Sequence, residues 1–442
     1  MVSRFISPLP EGGAVVAEHG DGVYIYDHAG RKYLDGSSGA MTVSFGHNNP
    51  EITNAVKEQL DKIAFTYRSQ FTSKPLEEVC TMIAGLAPGD LNYVSLANSG
   101  SEAAELAMKM ACSYWSVRGK PMKQRIISRW SSYHGSTMGA LSMSGNAARR
   151  KEYSLYLRDY PLLELPLCHC CPYEKDPTDC NLFCANYLQK MINRLGSENI
   201  SAAIFEPITG ASGAGITPPE GYFTKIQEIC RNNEILLIMD EVITGFGRTG
   251  KNFASEHWNL SPDIIVFGKG ISGGYYPMSG IIVSGEIYDA LKEKGVPFTT
   301  GHTFGGNPMA CACAKATLDY FESHDILGNV GDKGTLLEKK LVGMMARQSV
   351  ISDIRGRGLL WGVEFMKDRA KKEYFGPGRG ITEKIVRACF DRGLIVYPSA
   401  GYIDGILGDS IVISPPLVIS EYEINELTTL LEAAIEAVFA DL

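Results

Sequence analysis

Residues 236–253 read LLIMDEVITGFGRTGKNF, an apolar run that closes on two acids and is followed by GFGRTG, a formal G-x-G-x-x-G match. Two readings compete for this stretch. A dinucleotide-binding turn needs its first glycine at the strand end, so that the next helix start can receive a pyrophosphate. Here Glu241, Val242, Ile243 and Thr244 separate Asp240 from Gly245. The ribose-binding acid should follow after about 20 residues, at the end of the next strand. Asp263 has that spacing, but it precedes the run IIVFG instead of closing it. No amphipathic helical pattern joins the two runs. The nicotinamide or flavin reading fails on context, and attention moves to Asp240.

Outward from this stretch, the chain alternates. The short apolar runs NYVSLAN, RIISRW, AAIFEP, LLIMD, DIIVFG and GIIVSG are mostly separated by helix-length segments. That alternation predicts an α/β fold with a mainly parallel sheet between helices. Helical patterns cover 50–63 and 75–87, and Asn307 with Pro308 supplies the N-cap and first position of a helix over 308–322. Beyond about residue 325 the order becomes helix, LLWGVEF, helix, LIVYP, IVISPP and a last helix from about 421. This predicts a separate C-terminal α+β lobe. The stretch GVYIYDHAGRKYLDGSSG near the start is glycine-rich and partly stranded.

Composition sets limits. A chain of 442 residues with 45% hydrophobic and 21% charged residues has the make-up of a globular protein with more than one lobe. Its formal net charge of -8 argues against a nucleic acid as main partner. No apolar run approaches the roughly 20 residues needed to span a bilayer. The opening MVSRFISPLPEGG has no apolar core of a secretory signal. The eleven cysteines are therefore expected to be reduced thiols, in a cytoplasmic enzyme.

Three ionisable groups close apolar runs: Glu206 after AIF, Asp240 after LLIM, and Lys269 after IIVFG. In open α/β sheets the ligand site lies beyond the carboxyl ends of the strands. Taken singly, a lysine there is usually solvated and an acid often caps a helix. Together they converge on one candidate site. Upstream, NSGSEAAELA at 98–107 brings Gly100 and Ser101 into a helix start, a phosphate cradle or a plain capping box. Thr303 in GHTFGGNP is a second hydroxyl before a helix. Tyr133 in YHG lies where an aromatic can cover a flat ring. A phosphate cradle, an acid, a lysine and an aromatic plate together describe a site for pyridoxal 5'-phosphate.

The chain resembles the class III aminotransferases, a group of fold-type I pyridoxal-phosphate enzymes. The matching text is NSGSEA at 98–103, YHG at 133–135, EP at 206–207, MDEVITGFGRTG at 239–250 and PDIIVFGKG at 262–270. It continues with GHTFGGNP at 301–308, RGRGL at 355–359 and PPLVI at 415–419, with GHNNP at 46–50 near the start. The resemblance implies a large cofactor domain over 61–325 and a small domain built from 1–60 and 326–442. It implies that Lys269 holds the cofactor, Asp240 pairs with the pyridine nitrogen, and Val242 and Tyr133 cover the two ring faces. Gly100 and Ser101 would bind the phosphate, with Thr303 reaching in from a second subunit of a homodimer. Glu206 would lie near the ring hydroxyl. The implied reaction is ping-pong transamination through a Lys269 aldimine, from an ω-amino acid or amine to a keto acid, pyruvate. Racemases, epimerases, aminomutases and decarboxylases share the scaffold and are the alternatives.

Two departures stand out. Relatives that use glutamate often carry an arginine where this chain has Val412, and many pyruvate-using relatives carry one where it has Tyr397. Neither usual carboxylate clamp is present, so donors other than glutamate are expected. Arg68 is a possible substitute, although a structural ion pair is the plainer reading. Separately, Cys168, Cys171, Cys180 and Cys184 follow a C-x2-C-x8-C-x3-C spacing that superficially suggests zinc. A surface insertion with reduced or paired thiols, and no metal, is the expectation.

Overall fold

The computed structural model describes residues 15–440. The opening MVSRFISPLPEGG lies outside the described residues. Three short strands come first: β1 (Ala17–Asp21), β2 (Tyr24–Asp27) and β3 (Lys32–Asp35). The middle of the chain supplies β4 (Leu91–Ala97), β5 (Arg125–Arg129), β6 (Leu162–Leu163), β7 (Ile200–Phe205), β8 (Leu236–Asp240), β9 (Ile264–Phe267) and β10 (Ser279–Ser284). The last part adds β11 (Ile351–Arg357), β12 (Leu360–Phe365), β13 (Leu394–Ile395), β14 (Tyr397–Ile403) and β15 (Leu407–Ile413).

The central sheet has the order β4-β10-β9-β8-β7-β5-β6. Strands β9, β8, β7, β5 and β6 pair in parallel, while β10 runs antiparallel to both its neighbours. Residues of β7, β8 and β9 are buried throughout. A strand covered on both faces cannot alternate, which is why these segments read as unbroken apolar runs. One face is covered by the helix Gly100–Val117, whose alanines and Met110 meet Ile204, Ile238 and Val266. The other face packs Phe205, Met239 and Phe267 against Val79, Ile83 and Phe223.

Strand β13 pairs in parallel with β3, Leu394 opposite Leu34, so the first and last parts of the chain share a four-stranded sheet. The antiparallel sheet β11-β12-β15-β14 is backed by the helices Ile326–Arg347 and Glu421–Ala440. Between β8 and β9 the only helical element is the short turn Ala254–Trp258, so no dinucleotide-type helix follows β8. GFGRTG instead makes a buried junction. Gly247 takes φ 93°, and a Cβ there would lie 2.6 Å from Phe321. The buried Arg248 side chain donates to the carbonyls of Leu359 (3.2 Å) and Pro415 (2.5 Å), tying the central sheet to the C-terminal part.

Candidate active site

Because β7, β8 and β9 are adjacent and parallel, their carboxyl ends open at one edge of the sheet. Phe205 faces Met239 across β7–β8, and Asp240 faces Val266 across β8–β9. Glu206, Asp240 and Lys269 therefore emerge side by side. Lys269 has a left-handed backbone, φ 44°, a conformation that a side chain disfavours and that functional sites often retain. Its Nζ donates to the Ala40 carbonyl at 2.6 Å. Burial pushes its amine down to about 8, against the opposing pull of Asp240 and Glu206.

Asp240 is buried, and its Oδ2 lies 2.7 Å from Nδ1 of the fully buried His134. Its Oδ1 accepts the Val242 backbone N–H at 3.1 Å. His134 is held in turn: its backbone N–H donates to Ser144 Oγ at 2.8 Å, and its Nε2 lies 3.3 Å from Ser128 Oγ. Glu206 accepts the Tyr133 N–H on Oε1 and the Gly210 N–H on Oε2, both at 3.0 Å. Burial raises its carboxyl above the ordinary range, and the neighbouring Asp240 adds to the rise.

At the start of the helix Gly100–Val117, capping and cradle coexist. Ser99 is the N-cap and accepts the Glu102 N–H at 3.3 Å, while Glu102 Oε2 takes the Asn98 N–H at 2.8 Å. The cap thus sits one residue before Gly100. That leaves the Gly100 and Ser101 amides at the first helical positions, without intrahelical acceptors. Ser101 Oγ accepts the Ser136 N–H at 3.0 Å. A Cβ on Gly100 would come within 3.2 Å of Val242 Cγ1, and one on Gly135 within 2.5 Å of Ser101 Oγ. Both glycines keep backbone close to the cradle where a side chain would fill it.

Not every expected residue joins this group. Thr303 is exposed on the chain, in the turn before the helix Pro308–Ser323. Arg68 has no ion pair among the described residues. Its guanidinium donates to the Thr299 carbonyl at 3.4 Å. Val412 and Tyr397 are direct cross-strand partners on β15 and β14. They belong to an apolar cluster with Met41, Ile208, Ala214, Leu360 and Ile243. All eleven cysteines are free. Among the described residues the one group of three metal-ligand side chains within 4.8 Å of one another is His169, Asp353 and Glu364, not the cysteines. The guanidinium of Arg355 lies 3.1 Å from Asp353 and 3.2 Å from Glu364, and that cation makes the group an ion-pair network.

The donor set fits pyridoxal phosphate: a primary amine held low, a buried carboxylate with a hydrogen-bonded imidazole behind it, and two free helix-start amides with a hydroxyl. Two contributors escaped the sequence. His134 was visible in YHG, but its contact with Asp240 comes from folding β5 beside β7, with β8 on the far side of β7. Ala40 acts through its carbonyl, which no side-chain pattern reveals.

The model for "Aminotransferase class-III" matches residues 10–435. An uncharacterized aminotransferase of Bacillus subtilis, YodT, is 42% identical, covering 99% of this chain and 98% of that protein. The putrescine–pyruvate aminotransferase of Pseudomonas aeruginosa is 34% identical over 96% of this chain and 90% of its own. The crystal structure of an amine transaminase from an uncultivated Pseudomonas species, in its PLP-bound form, aligns with TM-score 0.91 at 32% identity, covering 99% of both chains.

Proposed function

The chain belongs to the class-III aminotransferases, a family of fold-type I transaminases, and on that premise we propose that it binds pyridoxal 5'-phosphate and moves an amino group from an ω-amino acid or amine to pyruvate by a ping-pong route. The observation that carries this reading is the Lys269, Asp240 and His134 constellation beside the free amides of Gly100 and Ser101. When bound, the cofactor supplies an aldehyde that condenses with amines and a protonated pyridine that takes up the electron pair left by C–H deprotonation.

The chain's own residues do the rest. Lys269 holds the cofactor at rest and, once released by the incoming amine, carries the proton from the amine-bearing carbon on its Nζ. An amine held near 8 is poised to give and take a proton close to neutrality. Asp240 stabilises the proton on the pyridine nitrogen, and His134 fixes the carboxylate that does so. Gly100 and Ser101 receive the phosphate, Tyr133 and Val242 cover the ring faces, and Glu206 stands by the ring hydroxyl.

The apolar cluster around Val412 and Tyr397 supports an amine donor without the second carboxylate of glutamate. The name of the putrescine–pyruvate relative supports pyruvate as acceptor. We also infer a homodimer with shared active sites, Thr303 contributing across the interface. Phe65 and Phe304, in edge contact at 5.6 Å and both exposed, leave an apolar patch next to Thr303. The domain division at 60 and 325 and a cytoplasmic location belong to the same proposal. No helix among the described residues is long and apolar enough to cross a membrane.

The test is a panel of amines and ω-amino acids against pyruvate and α-ketoglutarate. Turnover with pyruvate and a carboxylate-free amine is expected. Activity confined to α-ketoglutarate refutes the acceptor. Lys269→Ala is expected to lose turnover and the visible absorbance of the lysine-bound cofactor, and full transamination by that variant refutes the role of Lys269.

A further inference from the structure

The acceptor of the Lys269 amine is a backbone carbonyl, and a carbonyl is aimed only by the chain that carries it. That carbonyl, 2.6 Å from Nζ, belongs to Ala40 in the turn Ser38–Met41 that follows β3. The turn holds an unfavourable conformation. Ser38 takes φ 51°, Gly39 φ 65° and Met41 φ 58°, three left-handed residues within four positions. Ser38 and Met41 carry side chains that disfavour this region, so the surrounding contacts must impose it.

Asp35 is the anchor. It closes β3 and is fully buried. Its Oδ1 and Oδ2 both accept the Gly39 N–H at 3.0 Å, and Oδ1 also accepts the Ser37 N–H at 3.3 Å. His47 Nε2 lies 3.1 Å from Oδ2 and holds the carboxylate from the other side. Two more bonds clamp the turn to the C-terminal part: Ser38 Oγ donates to the Ser414 carbonyl at 2.7 Å, and Ser414 Oγ to the Ser37 carbonyl at 3.1 Å. A buried carboxylate is costly unless hydrogen bonds offset its desolvation, and here those bonds go to the turn and to His47. Gly39 and Ala40 are themselves exposed on the chain, so side-chain packing does not place the Ala40 carbonyl.

Resting on the transaminase reading above, we propose that Asp35, backed by His47, is a positioning residue for Lys269: it fixes the turn that aims the Ala40 carbonyl at Nζ. The carbonyl acts at one stage of the reaction. Once the amine substrate has displaced Lys269, the free Nζ takes the proton from the amine-bearing carbon. A released lysine side chain has many rotamers, and one accepted N–H holds Nζ on the side of the turn. The same bond favours the ammonium form, the species that carries the proton onward.

The test compares Gly39→Ala, Asp35→Asn and Asp35→Ala in the holoenzyme, with a carboxylate-free amine and pyruvate. A Cβ on Gly39 meets no atom within 4 Å, so that variant strains the turn without removing a contact. Its kcat is expected to fall roughly tenfold, while the KM for either substrate moves less than about twofold. Asp35→Ala should lose at least as much, and Asp35→Asn, which keeps an acceptor for the Gly39 N–H, should recover part. The second readout needs no turnover: acetylation of Lys269 by acetic anhydride in the cofactor-free chain, followed by mass spectrometry across pH. The midpoint in Gly39→Ala is expected about half a unit or more below wild type, because the ammonium form has lost its acceptor. Asp240, Glu206, Arg248 and Arg149 also act on that amine, and Gly39→Ala keeps all four. A wild-type kcat in Gly39→Ala overturns the proposal, and so does an unmoved midpoint. A loss confined to KM overturns it too, since the turn would then be a wall of the substrate pocket. Wild-type protein that transaminates no amine refutes the reaction, and this role falls with it even where the midpoint has moved.

Discussion

His134 shows how one buried side chain governs another. Its Nδ1 lies 2.7 Å from Asp240, in a setting where neither group has solvent to turn to. A hydrogen bond to a charged group contributes about 1.5–3 kcal/mol. His134→Phe keeps the ring volume and removes the donor, so Asp240 is free to rotate away from its working direction. We expect kcat to fall roughly ten- to hundredfold, the rate equivalent of that energy. The absorbance of the bound cofactor, which reports protonation of its ring, should shift in the same variant. Unchanged kcat and spectrum would show that Val242 N–H alone suffices to hold Asp240.

At the scale of elements, strand β12 carries a charge through an otherwise apolar stretch. Glu364 is fully buried, 3.2 Å from Arg355 and 2.6 Å from His169, and it also accepts Tyr402 Oη at 2.5 Å. Burial by itself would raise the Glu364 carboxyl. Arg355, then His169 and Tyr402, more than reverse that and bring it down to about 2. The folded value lies below the unfolded one, so this stability is present above about pH 4.3 and is lost as pH falls toward 2. Glu364→Gln leaves the buried Arg355 with Asp353 as its remaining carboxylate partner and is expected to cost about 3–5 kcal/mol of unfolding free energy at pH 7. Denaturant titration measures it, and the variant should lose the acid sensitivity of wild type between those limits. A cost below about 1 kcal/mol would mean that Asp353 alone, or water with it, suffices for Arg355. The same strand marks where sequence reading stops. LLWGVEF gives its burial away through apolar residues, but the partner of its one acid, His169, comes from the distant cysteine-bearing segment. Strand direction is equally silent: GIIVSG looks like its parallel neighbours and yet runs against them. Glu206, Asp240 and Lys269 were legible because a strand end fixes where its next residue emerges. The Ala40 carbonyl and the His134 contact depend on long-range packing that no local pattern encodes.

At the scale of the whole molecule, the proposed shared site makes a prediction that no single-chain defect imitates. Thr303 sits on an exposed turn, next to Phe304 and the apolar face it shares with Phe65. In a symmetric dimer the same patch meets its copy, so each Thr303 would serve the cofactor held by the partner's lysine. Consider one chain with Lys269→Ala and another with Thr303→Glu, whose added charge would repel the phosphate. Each homodimer has two defective sites. In the mixed dimer one site combines both defects, and the other pairs an intact Lys269 with an intact Thr303. Random exchange makes half of the dimers mixed, each with one sound site, so about a quarter of wild-type activity should appear on mixing. The expected control is that neither variant alone, at the same concentration, approaches that level. If mixed subunits are shown by mass to have exchanged and activity does not rise, Thr303 does not act across the interface. If Thr303→Glu alone retains full activity and cofactor binding, the hydroxyl has no part in the phosphate site at all.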